Sequence, residues 1–198
     1  MDKTYKVNAA FQPTTKRNVD MAGTDFYPTP SWATHALLSR ESFTGIVHEP
    51  ACGDGAMSKV ISEYGLNVIS SDIEDHGYGN PNVDFLKSNE KVQNIITNPP
   101  YHSAMKFIDK CLDIVECKFA LFLRLAFLEG VTRHINLYSV NPPSRVYVFS
   151  ERVTIYRKGA EIAGSGTTAY AWYVWDIKNP ITGTELKWIP PGAKRRFS

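Results

Sequence analysis

Short apolar runs alternate with stretches of helical period along most of the chain. In Ser31–Arg40, Trp32, His35 or Ala36, and Leu38 recur at helical spacing until Gly45 breaks the pattern. Residues 45–49 then read as a strand, 56–64 as a helix and 67–71 as a strand. Residues 92–97 are a further strand and 103–115 a helix with Met105, Ile108 and Leu112 inward. Residues 118–123 are a buried strand, and 127–138 a helix. Strands that alternate with helices are joined by crossovers and pair in parallel, so the pattern predicts an α/β fold with a doubly wound sheet.

After Pro143 the period shortens. Arg145–Phe149 and Thr168–Trp175 are rich in β-branched and aromatic residues and flank a Gly/Ser-rich stretch, 159–167. That predicts antiparallel strands at one sheet edge, joined by a basic-rooted loop. Residues 1–24 are polar without period and read as a loose arm, 25–178 as one domain and 179–198 as a basic tail.

Composition narrows the class. A chain of 198 residues that is 43% hydrophobic suits a single domain with a real core. Three cysteines (Cys52, Cys111, Cys117) without a C-x-x-C pair suit reduced thiols in a cytoplasm. The start lacks a signal peptide's apolar stretch, and the longest oily run, Phe119–Leu128, is interrupted by Arg124, so no membrane span is expected. The histidines at 35, 48, 76, 102 and 134 show no ligand spacing, so no metal is expected.

Charge is unevenly distributed along the chain. Residues 1–117 hold 10 Lys and Arg against 15 Asp and Glu, a balance of −5; residues 118–198 hold 12 against 5, or +7. The later cations include Arg145, Arg152, Arg157, Lys158 and Lys194–Arg196, interleaved with Tyr147, Phe149, Tyr156, Tyr170, Trp172 and Trp175. Cations among aromatics suit a polyanion whose bases stack, although an ordinary solvated surface has the same composition.

Two stretches carry candidate chemistry. The first is His48–Ala56, between the first strand and its helix. Gly53 and Gly55 there let backbone approach a ligand closely. Only two glycines are present, Ser58 stands at the third position, and Glu49 would repel a phosphate; an acid there suits a cationic ligand with an ammonium group. Asp72, at the tip of the second strand, can accept both hydroxyls of a ribose, and Asp84, before Phe85, an adenine amino group. Together these indicate a nucleoside ligand.

The second is Asn98-Pro99-Pro100-Tyr101, after an apolar strand and before a helix, hence at the carboxyl edge of the sheet. An exocyclic amine on an aromatic ring is a poor nucleophile because its lone pair is delocalised. The Asn98 side-chain oxygen and the Pro99 carbonyl can hold its two N–H bonds, the prolines offer no competing N–H, and Tyr101 gives the target ring a face to stack on. Asn141-Pro142-Pro143-Ser144 lacks the aromatic and precedes a strand, so it reads as a connecting turn.

On these residues the chain resembles S-adenosylmethionine-dependent methyltransferases that act on amines, similar to DNA adenine-N6 methyltransferases, over roughly Asp25–Asp176. The resemblance implies a Rossmann-like sheet of about seven strands, the last antiparallel, with S-adenosylmethionine as cofactor. Asp25–Pro30 matches the upstream motif that folds over the methionine end, which brings in Tyr27 and Thr29. Glu49–Gly55 matches the glycine-rich motif, with Ala51 in place of a first glycine. Asp72 with Ile73, Asp84 with Phe85, and Asn98 complete the implied cofactor set. Asn98, Pro99 and Tyr101 are the implied catalytic residues. Pro100, Tyr101 and Phe149, the last as a base clamp, with Arg152, Arg157 and Lys158, are the implied substrate-binding residues.

The implied partner is DNA. RNA adenine, a protein glutamine, or non-catalytic cofactor binding are the alternatives. Cytosine-C5 chemistry is excluded because no cysteine follows a proline. Only 22 residues follow Asp176, so base readout is expected to be relaxed or short.

Overall fold

Helix α1 (Ser31–Leu38) starts after Pro30, whose fixed φ suits a helix entrance, and buries Trp32, Ala33, Ala36 and Leu37 against the sheet. The computed structural model describes residues 27–155 and 168–198. The expected arm at 1–24, and Asp25, Phe26 and the stretch 156–167 with Arg157 and Lys158, lie outside the described residues. Strand β1 (Ile46–Glu49) leads into α2 (Ala56–Glu63), then β2 (Asn67–Ser70) and β3 (Val92–Thr97). Helix α3 (Ala104–Ile114) runs directly into β4 (Val115–Arg124), and β5 (Arg145–Phe149) and β6 (Tyr170–Asp176) follow. Strand β7 (Glu185–Ile189) and a short helix, Ala193–Phe197, close the chain.

The seven strands form one sheet in the order β2-β1-β3-β4-β6-β5-β7. Strands β1 to β4 are mutually parallel, with Val47 opposite Val68 and Asn94, and Ile95 opposite Phe119. Strand β6 runs antiparallel between β4 and β5, and β7 pairs parallel to β5 on the far edge. The antiparallel strand is therefore the sixth in the chain, and a parallel seventh comes from the segment that sequence set aside as a tail. The register explains why. Ile189 is fully buried and the Phe197 ring stacks on His35 of α1 at 5.5 Å, so apolar residues spaced through 179–198 tie it to the domain.

Strand β4 is buried on both faces, as its unbroken apolar run demands. Ala120 and Phe122 face α1 and α2, with Val47, Ile96 and Trp172; Phe119, Leu121 and Leu123 face α3, with Ile95 and Tyr173. Truncating a residue such as Phe122 to Ala is worth about 3–5 kcal/mol by the usual cost of emptying a core site. The interleaved aromatics expected to stack on bases are largely spent here: Tyr147, Trp172 and Trp175 are core residues, and Trp172 donates its Nε1–H to the Ala33 carbonyl at 2.8 Å.

Two further expectations are corrected. The helix expected over 127–138 is a 3₁₀ turn (Leu125–Leu128), then α4 (Val131–Arg133) and a π-turn (His134–Tyr138). Gly130 at φ 121° interrupts it, and the Tyr138 hydroxyl donates to the Phe127 carbonyl across the break. Arg145, grouped by sequence with the polyanion-facing cations, is locked inside the fold. It donates to Glu41 and to Asp176, and Lys118 bridges the same two acids. This buried network stands at the amino end of β5, away from the edge where β1 to β4 finish. Among the described residues no helix is long and apolar enough to cross a membrane.

Candidate active site

Because β1 to β4 are parallel, their carboxyl ends deliver Glu49, Ser71-Asp72, Asn98 and Arg124 to one edge. A cleft of about 330 Å³ opens there, within the range of small-molecule sites. It unites Tyr27, Thr29, Glu49, Ala51, Asp72, Ile73, Asp84, Phe85 and Asn98 with Pro99, Pro100 and Tyr101. Residues that sequence assigned to two sites are thus walls of one.

The two glycines shape the turn beside the cleft. Neither is a wall of the cleft. The Gly53 N–H donates to Asp72 Oδ2 at 2.8 Å, while the Glu74 N–H donates to Oδ1 at 3.0 Å, so the turn aims the carboxylate. Gly55 sits at φ 78°, and a Cβ there would lie 2.5 Å from the Tyr78 ring. A side chain there would have to displace Tyr78.

Glu49 is 2% exposed. Ser58 donates to its Oε2 and pairs with Ser70 at 2.6 Å. Burial pushes the Glu49 carboxyl up to about 8; the Ser58 bonds oppose the rise, and the charges of Asp72 and Asp54 add to it. Burial and then the charges of Glu49 and Asp72 push the Cys52 thiol up to about 12, which makes it a poor nucleophile. Asp84 accepts from the Leu86 N–H at 3.1 Å and pairs with Lys87 at 3.2 Å. His48, which contacts Ser71 at 2.9 Å, has its pKa lowered by burial.

The proline corner is built as its letters suggest. Thr29 Oγ1 accepts from Asn98 Nδ2 at 3.0 Å, while Asn98 Oδ1 is buried and without a hydrogen-bond partner among the described residues. The Tyr101 hydroxyl is likewise buried without one, and burial, with Tyr170 beside it, holds that phenol well above its ordinary range. The Tyr101 ring lies 6.0 Å from Tyr170 and 4.5 Å from the Arg124 guanidinium carbon.

Phe149 and Arg152 line a smaller cavity of about 120 Å³ with Tyr170, the neighbour of Tyr101. The Phe149 ring packs edge-on to Trp32 at 5.3 Å. Sequence reasoning missed the roles of Ser58, Tyr78 and Arg124. The signal for Arg124 was visible, since it is the charge that interrupts Phe119–Leu128. Among the described residues no cluster of His, Cys, Asp and Glu is arranged to hold a metal ion.

No family model matches the chain, and no curated protein matches its sequence. Solved structures do match. A protein assigned as the modification subunit of a type I restriction enzyme from Vibrio vulnificus YJ016 is 14% identical with TM-score 0.57, over 84% of this chain and 48% of that one. A protein assigned as an RNA methyltransferase from Pyrococcus horikoshii is 15% identical with TM-score 0.58, over 79% of this chain and 89% of that one. A protein assigned as a class I S-adenosylmethionine-dependent methyltransferase from Listeria monocytogenes is 12% identical with TM-score 0.50, over 84% and 66%. The fold is the Rossmann-like methyltransferase fold. The chain spans about half the length of the Vibrio subunit.

Proposed function

We propose that the protein is an S-adenosylmethionine-dependent methyltransferase acting on the exocyclic N6 amine of adenine in DNA, with relaxed or short sequence specificity. The observation that carries this reading is Asn98 Oδ1, buried and unpartnered on the wall of an acid-lined cleft. Leaving a buried acceptor unpaired costs about 1–3 kcal/mol, and an amine N–H of a substrate would satisfy it. The cleft fits the cofactor's chemistry, with acids for a cationic ligand and a ribose. Glu49 would meet the ammonium, Asp72 the ribose hydroxyls and Asp84 the adenine amino group, with Tyr27 and Thr29 over the methionine end. When bound, the cofactor supplies an electrophilic methyl group on a positively charged sulfur.

The chain's own residues supply positioning and electrostatics. Thr29 holds the Asn98 amide so that its oxygen accepts an amine N–H, which draws the nitrogen lone pair out of the ring. Pro99 and Pro100 keep competing donors away and stiffen the corner. Tyr101 offers the flat contact for the ring, worth about 1–3 kcal/mol per base, against the few kcal/mol needed to extrude a base. Phe149 and Arg152, in the smaller cavity, and Arg157 and Lys158 are assigned to the nucleotide around it.

The test offers labelled cofactor with unmethylated duplex DNA, single-stranded DNA, RNA and protein. Label is expected in DNA as N6-methyladenine. Asn98→Ala is expected to lower incorporation by about 10²–10³-fold while cofactor still binds. Label in RNA or protein but not in DNA overturns the substrate assignment, and equal labelling by the variant overturns the role of Asn98. Cofactor binding without label in any substrate leaves the non-catalytic alternative.

A further inference from the structure

Arg124 closes β4 at the same edge, opposite Tyr170 in β6. Its guanidinium lies on the Tyr101 ring, 4.5 Å from carbon to ring centre. Its Nε–H is buried and has no acceptor among the described residues. None of the ion pairs among the described residues includes it. Arg145 is the internal comparison. Where the fold needs a structural arginine it supplies two carboxylates, Glu41 and Asp176.

A cation on an aromatic face gains about 0.5–2 kcal/mol, whereas an unpaired buried donor costs about 1–3 and more when charged. The ring contact alone does not offset the unpaired donor, so the side chain is short of one acceptor. It rests on the ring on which the proposed function stacks the target base.

Resting on that functional reading, we infer that Arg124 is the phosphate anchor of the target nucleotide. In the structure it lies on Tyr101. When a purine takes the ring face, the displaced guanidinium presents its Nε–H and an Nη–H to the phosphodiester beside the extruded base. A fork of two N–H donors matches phosphate oxygens in geometry and charge. The substrate therefore brings its own anion, as a polynucleotide does and a glutamine side chain does not.

The test uses the full chain, cofactor product and a fluorescent duplex with a single adenine, titrated from about 50 to 200 mM salt. Arg124→Met is expected to weaken binding about tenfold near 0.1 M salt and to reduce the slope of log K against log salt by about one. Arg124→Lys is expected to restore the slope. A neutral methylphosphonate beside the target adenine should cause the same loss in the unaltered protein and no further loss in Arg124→Met. The loss in the unaltered protein can be read even if the variant folds poorly, and Arg124→Lys then serves as the folded comparison.

An unchanged slope in Arg124→Met, or losses from linkage and variant that simply add, overturns the assignment. If the slopes behave as expected but no label enters nucleic acid, the methyltransferase reading fails while the phosphate contact stands. If Arg124→Met labels and binds DNA as the unaltered protein does, the contact fails while the function stands. Absence of any binding to nucleic acid overturns both.

Discussion

Replacing Glu49 by Gln removes a carboxyl group that burial holds protonated at neutral pH. With its pKa up at about 8 against an ordinary 4.5, the folded chain carries a proton there that the unfolded chain has lost. This contribution to stability is complete below about pH 4.5 and declines by about 1.4 kcal/mol per pH unit until pH passes about 8. A cationic ligand needs the ionised form. Its affinity should therefore rise about tenfold per pH unit from about pH 6 to pH 8 and then level off, and at pH 7 binding should release about 0.9 proton. Titration calorimetry of S-adenosylmethionine in two buffers of different ionisation enthalpy counts that proton directly.

In Glu49→Gln, which keeps a group for the Ser58 hydroxyl to bond, the proton release should vanish. The pH dependence over that window should flatten, and affinity at pH 8 should fall below that of the unaltered protein. S-adenosylhomocysteine, with the ammonium but no sulfonium, should release the same proton if Glu49 meets the ammonium. Equal heats in both buffers for the unaltered protein, or an affinity flat from pH 6 to pH 8, would refute the reasoning.

Two further outcomes test the scaffold. Burial alone would raise Glu41 and Asp176, but hydrogen bonds and charge from Arg145, with Lys118, outweigh it and hold both below their ordinary 4.5 and 3.8. The stability they contribute is present above those values and is lost as pH falls through the lowered ones. Melting temperature followed from pH 7 to pH 3 should drop at the acid end, and Glu41→Gln should cost about 3–5 kcal/mol at neutral pH by leaving Arg145 under-paired. A variant as stable as the parent would remove the network from the account. Gly55→Ala forces a φ of 78° on a residue with a Cβ that meets Tyr78, and denaturant unfolding should show a loss of about 1–3 kcal/mol. Combining it with Tyr78→Ala should return the steric part; no recovery would mean that the backbone angle alone sets the cost.

Much of the sheet was legible because periodicity is a local property. Strands 67–70, 92–97 and 145–149 follow runs whose period and breakers can be counted. The helix expected at 127–138 failed because Gly130 and the Tyr138–Phe127 bond act across the break. Strand β7 went unread although Leu186, Trp188 and Ile189 are apolar, because the segment is short and the strand that it pairs with, β5, lies 40 positions earlier in the chain, Arg145 opposite Glu185.

The amino-acid order by itself determined the alternation of strand and helix, the acids at strand tips and the Asn-Pro-Pro-Tyr corner, since each depends on neighbours a few positions apart. Which aromatics stack in the core, which arginine is locked and which is left without an acid, and which way the Asn98 amide faces were decided only in three dimensions. Those outcomes depend on partners such as Glu41 for Arg145 and Thr29 for Asn98, 104 and 69 positions away. Burial is also a tertiary quantity, and it is burial that moves the Glu49 proton.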